Sequence, residues 1–223
     1  MVSDEQNIPN KTLYLGLLTD SNEFFPKVAI KALEGISKHY PNDDSVNLLL
    51  SSLKNEENDD MNYFQSNYMQ PKHYHITTYF KKKHFDTKHK AYKAFKRNED
   101  VNIKIVGVIF VPYKIMTSVV FMDSPCDNEF PHITTLLGSF KPKDSNELCK
   151  LLFSKNCPLE KEYLNSFLKE YEVTVENDIV ETLFLKEFCY KGELTIMNQK
   201  EEVYFIRFEE DIVLNSKMTC FTN

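Results

Sequence analysis

Cysteine is scarce, and its spacing forms no recognisable framework. The 223 residues include five cysteines, an odd number, and no two have the CxxC spacing that is common in zinc and dithiol sites. In a chain without a secretory signal, such cysteines are most simply free thiols in a reducing compartment. We therefore expect neither a disulfide framework nor a zinc site from Cys126, Cys149, Cys157, Cys189 and Cys220.

Long apolar runs are also missing. The first dozen residues are polar, which argues against a signal peptide, and no run approaches the length that a membrane-spanning helix needs. These absences predict a protein of the cytoplasm or nucleus with no membrane partner. The chain is nevertheless long enough to bury a full core, as one large domain or as two small lobes.

Net positive charge is the third absence. The formal net charge of -6 argues against a protein that coats nucleic acid non-specifically. The charge is uneven, however, because residues 71–97 hold nine basic side chains opposed by Asp86 alone. This stretch is either a solvated helix face or a region that attracts an anionic substrate. Its basic members are Lys72, Lys81, Lys82, Lys83, Lys88, Lys90, Lys93, Lys96 and Arg97.

What the sequence does contain is a short phrase that occurs twice. His-Ile-Thr-Thr begins at His75 and again at His132, with strongly apolar sequence between the two copies. Side chains alternate along a strand, so each histidine shares a face with the threonine two positions later, Thr77 or Thr134. If the two strands lie side by side, two imidazoles and two hydroxyls converge on one place.

The apolar pattern predicts an α+β fold. We interpret residues 1–223 as a single two-lobed domain, with the motifs in about 13–152. We expect an acidic part, about 158–223, to complete the lobes without contributing catalytic residues. The predicted strands are 13–18, 73–80, 103–111, 115–122, 130–137, 173–175, 179–188, 193–196 and 203–208. The first predicted helix begins after Asp20 or Ser21. Further helices are predicted over 45–53, 86–96, 145–154 and 160–170, and a loop over 54–62.

The two phrases suit the hydrolysis of a phosphodiester, especially a 2′,3′-cyclic one. Water must lose a proton as it attacks phosphorus, and the departing ribose oxygen must gain one. Because the ordinary pKa of histidine is near 6.5, one neutral and one protonated imidazole coexist near neutral pH and can serve as base and acid. Thr77 and Thr134 would hold the non-bridging oxygens. The scheme requires no metal and no cofactor.

A metal site is an alternative that the residues leave open. His73 and His75 share a strand face and could both bind a metal ion. The sequence offers no clear third ligand, because His84 and His89 belong to the basic stretch.

The paired phrases resemble the signature of the two-histidine (2H) phosphoesterase superfamily, which has two H-x-[ST] motifs on neighbouring strands. Residues 126–134 and 141–146 look most like the cyclic phosphodiesterase domain of fungal-type tRNA ligases. The resemblance implies a bilobal α+β fold with two antiparallel sheets around a central cleft and helices outside. It also implies catalytic roles for His75 and His132 and phosphate binding by Thr77 and Thr134.

The sequence departs from this family in one respect. Family members usually have an apolar residue after the Ser or Thr of each motif, where this chain has Thr78 and Thr135. Two further residues are predicted substrate contacts. They are Lys81, just after the first motif, and Tyr14 on the opening strand, which would fit the core equally well. With no kinase or ligase region in the sequence, a complete tRNA ligase is not expected.

These observations predict a metal-independent phosphodiesterase that opens 2′,3′-cyclic phosphate ends of RNA or nucleotides to a 2′-phosphate. Three alternatives stay open at this stage. The first is an enzyme that cleaves 2′-5′ oligoadenylate or a cyclic oligonucleotide, the second is an inactive module that binds RNA or nucleotides, and the third is a structural protein in which both phrases are core strands.

Overall fold

The structure is a computed structural model of the chain. It describes residues 8–9, 11–19, 21–54, 60–81, 84–153, 188–196 and 198–222. The strands are β1 (Tyr14–Thr19), β2 (Tyr74–Phe80), β3 (Asp100–Val111), β4 (Ile115–Phe121), β5 (His132–Leu137), β6 (Phe188–Ile196) and β7 (Gln199–Phe221). The helices are α1 (Ser21–His39), α2 (Asp44–Lys54), α3 (Asp60–Asn67), α4 (Lys90–Ala94) and α5 (Asp144–Phe153). The expected α+β class is confirmed.

All seven described strands belong to one antiparallel sheet. Its order is β2-β1-β7-β3-β4-β5, and β6 pairs with β7 outside this path. The long strand β7 organises the sheet, because it pairs with β6 over its first residues, with β1 over its last and with β3 over most of its length. The bilobal, two-sheet description is not confirmed, since these strands form a single sheet.

Two apolar clusters lie on opposite faces of this sheet. The alternation of β3 separates them: Val108 and Phe110 join the larger cluster, whereas Ile109 and Val111 join the smaller one. In the larger cluster, α1 contributes side chains at helical spacing, and all of them are fully buried. They are Phe24, Val28, Ala29, Ala32, Leu33 and Ile36. In the smaller cluster, α5 packs through Leu148 and Leu152.

Two of the predicted elements differ from the structure. The loop predicted over 54–62 is wrong at its end, because α3 begins at Asp60 and anchors Tyr63 and Phe64 against the larger cluster. The helix predicted over 86–96 is reduced to α4, which ends where Phe95 turns into the core. The predicted helix 160–170, the strand 173–175 and most of the strand 179–188 lie outside the described residues.

Two further expectations concern membranes and domains. Among the described helices, none is long and apolar enough to span a membrane. The assignment of residues 1–223 to a single domain stays a prediction.

Candidate active site

The two motif strands meet although they do not pair. β2 and β5 are the two ends of the sheet path, yet they are in contact, so the sheet curls until its edges approach each other. The loop before β5 joins them: the Asp127 amide donates to the Thr78 carbonyl oxygen at 2.7 Å, and the Asn128 side-chain amide donates to the Thr77 carbonyl oxygen at 2.9 Å. The motifs therefore face each other from the two edge strands of the curled sheet, and not from two strands that pair with each other.

Strand alternation directs the motif side chains into one cleft. Ile76 and Ile133, in the middle of the two phrases, are fully buried in the larger core cluster. The residues on either side of them point the other way and are half-buried. His75, Thr77, His132 and Thr134 all line a cleft of about 570 Å³. Both imidazoles are thus outside the core, contrary to what the structural-protein alternative requires.

Two hydrogen bonds define the state of His75. Its Nδ1 lies 3.3 Å from the His73 carbonyl oxygen, and its Nε2 lies 3.2 Å from the Tyr14 hydroxyl. Because a carbonyl only accepts, Nδ1 carries the hydrogen, and in the neutral ring Nε2 accepts the hydrogen of Tyr14. Burial lowers the pKa of His75, the bond to the His73 carbonyl raises it, and positive charge on His73 lowers it.

His132 repeats this arrangement on the other strand. Its Nδ1 donates to the Phe130 carbonyl oxygen at 2.8 Å, which again makes Nε2 the proton-exchanging atom of the neutral ring. Burial lowers the pKa of His132, the Phe130 carbonyl raises it, and positive charge on His75 lowers it. Protonation of one imidazole therefore disfavours protonation of the other. This favours a state in which one ring is protonated and the other is neutral.

A chain of hydroxyls supports Thr134. Its Oγ1 lies 2.8 Å from Ser145 Oγ, which accepts a hydrogen bond from Thr117 Oγ1 at 2.9 Å. Ser145 is fully buried near the start of α5. Ser145 was not among the predicted site residues. A serine at the start of a helix is usually interpreted as a capping residue, and only the fold shows that Ser145 contacts the strand of the second motif.

Residues 62–183 match the sequence profile of the fungal tRNA ligase phosphodiesterase domain, a span of more than half the chain. The chain belongs to this family. The resemblance based on the two His-Ile-Thr phrases, including the 2H-like relation, is confirmed. A search of the curated proteins finds no match.

Among solved structures, the chain is similar to the crystal structure of a fungal RNA kinase. The identity is 9% and the TM-score is 0.48, and the match covers 97% of this chain and 47% of that one. The chain thus spans about half the length of that structure.

The structure explains the chain's departure from the family pattern. Thr78 and Thr135 are buried, at 6% and 0% exposure, where family members usually have apolar residues. Both are hydrogen-bonded: Thr78 Oγ1 donates to the Leu15 carbonyl oxygen at 3.1 Å, and Thr135 Oγ1 lies 2.6 Å from Ser118 Oγ. Because their hydroxyls have partners, burying them costs little, and the cleft side of each motif is unaffected.

The two predicted substrate contacts have different positions. Tyr14 lines the cleft, and its ring stacks on Phe221 with centroids 4.6 Å apart. Lys81 does not line it; its amine donates to the Thr12 carbonyl oxygen at 3.4 Å and lies over the Phe85 ring. Its role as a substrate contact stays a prediction that its position does not favour.

Other cleft residues were missed by the sequence reasoning. Lys143 and Asn146 approach the cleft from the start of α5, and Asn128 from the loop before β5. Lys72, in the basic stretch, lines the cleft next to His73. Within the described part of the chain, no group of three or more His, Cys, Asp or Glu side chains could hold a metal ion.

Proposed function

We propose that this cleft hydrolyses 2′,3′-cyclic phosphate ends of RNA or nucleotides to 2′-phosphates, without a metal ion. The observation that carries the proposal is that both motif histidines, held in the same tautomer by matching carbonyls, line one cleft with both motif threonines. Family membership supports the same reaction class, because the family is a tRNA ligase phosphodiesterase domain.

In the proposed reaction, the Nε2 atom of one histidine accepts a proton and that of the other donates one. The neutral imidazole takes a proton from water as the oxygen bonds to phosphorus. The protonated imidazole gives its proton to the ribose 3′ oxygen as the bond from that oxygen to phosphorus breaks, which leaves a 2′-phosphate and a 3′-hydroxyl. Each positioned proton transfer contributes on the order of 10²–10⁴-fold to the rate. The hydroxyls of Thr77 and Thr134 hold the non-bridging oxygens as charge grows on them.

The cleft also offers groups that suit an RNA end. Lys72 and Lys143 line it and supply positive charge for an anionic substrate. Phe80 lines it as well and is 56% exposed, so its ring is accessible for stacking with a nucleobase. Stacking of this kind is worth about 1–3 kcal/mol per base. We place the reaction in the cytoplasm or nucleus, where the free thiols of the four described cysteines would persist.

A turnover assay in EDTA tests the proposal. Adenosine 2′,3′-cyclic phosphate and a 2′-5′-linked oligoadenylate are incubated separately with the wild-type protein, His75→Ala and His132→Ala. We expect turnover of the cyclic compound to adenosine 2′-phosphate, reduced at least about 100-fold in each variant. His84→Ala, an exposed histidine outside the cleft, is the matched control. Turnover that persists in both motif variants, or that requires added metal, would contradict the mechanism. A preference for the oligoadenylate would contradict the substrate assignment.

A further inference from the structure

A strongly basic surface lies beside the cleft. Residues 84–97 hold five lysines or arginines and one acidic residue, Asp86, in a chain whose net charge is -6. All five basic side chains are exposed. They are Lys88, Lys90, Lys93, Lys96 and Arg97. A phosphate backbone would meet repulsion over much of this acidic protein, so this segment is a local exception.

The surface rests on a fixed scaffold. Ala91 and Phe95 are 3% and 2% exposed, which anchors α4 and its end in the core. Hydrogen bonds then tie the following residues to β7: the Asn98 amide donates to the Met218 carbonyl oxygen at 2.8 Å, and the Met218 amide donates to the Glu99 carbonyl oxygen at 2.9 Å. The basic side chains therefore project from a backbone that is held in place by the core and by β7.

His89 connects this surface to the cleft. Its ring stacks on Tyr79 of β2 with centroids 4.3 Å apart and an interplanar angle of 3°. Its Nδ1 accepts the Ala91 amide at the start of α4, so Nε2 carries the hydrogen and donates to Asp127 Oδ1 at 3.1 Å. Asn128, the next residue, lines the cleft. The basic surface and the site thus share one continuous set of contacts.

We propose that Lys88, Lys90, Lys93 and Arg97 bind the phosphates of the RNA strand that precedes the cyclic end. This inference rests on the proposed function and adds a second binding region to it. The cleft receives the terminal nucleotide, and the strand leaving it crosses α4. Lys96 is left out of this set because its amine is 3.1 Å from Glu99. A single cyclic nucleotide reaches only the cleft, so the basic surface favours RNA ends over free nucleotides.

A length series of substrates tests this surface. The wild-type protein and the double variant Lys90→Glu/Lys93→Glu are assayed on adenosine 2′,3′-cyclic phosphate and on oligoribonucleotides of increasing length with a cyclic end. In the wild type, we expect kcat/KM to rise with length. If two phosphate contacts are lost, the slope of log kcat/KM against log salt on long RNA flattens by about 1.4, at about 0.7 per phosphate on a single strand. That change is about 25-fold in kcat/KM at 0.1 M salt, relative to 1 M salt. On the cyclic nucleotide, the variant stays within twofold of the wild type.

Lys104→Glu/Lys200→Glu is the charge-matched control, since both lysines are exposed and lie on β3 and β7, away from residues 84–97 and the cleft lining. Equal losses on the cyclic nucleotide and on long RNA would overturn the proposal, as would a loss on long RNA no larger than the control's. Failure of the wild type to hydrolyse any cyclic end would instead contradict the proposed function. Fluorescence anisotropy of a labelled, uncleavable RNA would still report whether the surface binds it.

Discussion

At the scale of single residues, the site depends on which imidazole nitrogen carries the hydrogen. Each motif histidine bonds through Nδ1 to the carbonyl two residues before it, that of His73 or Phe130. The repeated phrase therefore builds the same local hydrogen bond twice. Both rings consequently offer Nε2 to the cleft, as the proposed acid and base require.

The shared environment of the two histidines predicts the pH dependence of kcat/KM. Burial lowers the pKa of both rings below the ordinary value of 6.5, and charge on His75 lowers that of His132 further. The proposed mechanism needs one neutral and one protonated ring, and the population of that state is greatest between the two apparent pKa values. We therefore expect a bell-shaped profile of kcat/KM centred below pH 6.5, measured on a cyclic nucleotide between pH 4.5 and 8.5.

Two results would argue against this assignment of the profile. One is an optimum above pH 7. The other is an unchanged bell in His132→Ala, because removal of one titrating ring must remove one limb.

The sequence was informative at this scale only within the strands. Alternation placed His75 and Thr77 on one face, as it did His132 and Thr134, and it needed no knowledge of the rest of the fold. Ser145 and Asn128 could not be found in that way. Each reaches the site from a loop or a helix end whose position is determined by tertiary packing rather than by local periodicity.

At the scale of elements, the contact between β1 and β2 holds the first motif in place. Gly16 lies in β1 beside a register shift in its pairing with β2. A methyl group at Gly16 would collide with the Ile76 carbonyl oxygen, and it would lie 3.0 Å from the Phe221 ring. Neither the backbone of the motif strand nor a ring held between strands can move away easily.

Gly16→Ala is therefore expected to reduce both stability and activity. We expect the free energy of unfolding to fall by about 1–3 kcal/mol, the usual cost of overpacking, and kcat to fall because His75 is displaced with its strand. Urea denaturation and the cyclic-nucleotide assay measure the two effects.

Gly192→Ala is the matched control for this substitution. The three atoms nearest to its added methyl all belong to the phenol end of the Tyr190 side chain, whereas at Gly16 the nearest atom is backbone. Equal effects of the two substitutions would show that the β1–β2 contact has no special importance.

The limits of sequence patterns are visible in α3 and β7. The loop predicted over 54–62, a stretch rich in Asn, Glu and Asp, overlaps the first three residues of α3. Tyr63 and Phe64, which follow that stretch, pack on the core. In β7, the strand predicted over 203–208 was correct but too short. Glu209, Glu210 and Asp211 interrupt the apolar pattern, and the pairing of β7 with β3 shifts register there before it resumes at Ile212.

At the scale of the whole molecule, Asp43 links the connection between α1 and α2 to the last two strands. Its carboxylate lies 2.8 Å from the Lys191 amine on β6 and contacts the Tyr204 hydroxyl on β7. Burial alone would raise the pKa of Asp43, but hydrogen bonds from Lys191, Tyr204 and Ser45 outweigh it and hold the pKa well below its usual value.

Asp43→Asn should therefore reduce stability in a pH-dependent way. The side chain is only 10% exposed, and removing its charge leaves Lys191 with a weaker partner, so we expect a loss of about 1–3 kcal/mol at pH 7 in urea denaturation. Because the folded-state pKa is depressed, this stabilisation is present above the ordinary value of 3.8 and is lost as the pH falls below it. Wild type and variant should then converge.

The comparison for Asp43 is an exposed pair. Glu193→Gln removes an ion pair with Lys200 whose side chains are 60% and 74% exposed, and because solvent screens such a pair we expect it to cost less than Asp43→Asn. A difference between Asp43→Asn and wild type that does not narrow with acid would contradict the linkage.

The overall arrangement of strands was the least predictable feature. The sequence correctly indicated strands and helices over most of the described residues, and hence the α+β class. It did not indicate that β1 pairs with β7, because that pairing joins positions about 200 residues apart, and no local pattern encodes such a partner. The bilobal fold with two sheets, which the family resemblance implies, is not confirmed, because the described strands form one curled sheet with apolar clusters on both faces.

The position of β7 also determines when during synthesis the site can form. Its residues 216–221 are the pairing partner of β1, and Phe221 packs against both Tyr14 and His75. A ribosome makes β1 and both motifs long before it makes these residues. A growing chain therefore contains both histidines while β1, which pairs with the His75 strand β2, still lacks β7 on its other side. We therefore expect the proposed hydrolysis of a cyclic phosphate to begin only after residues 216–221 have been made and have paired with β1.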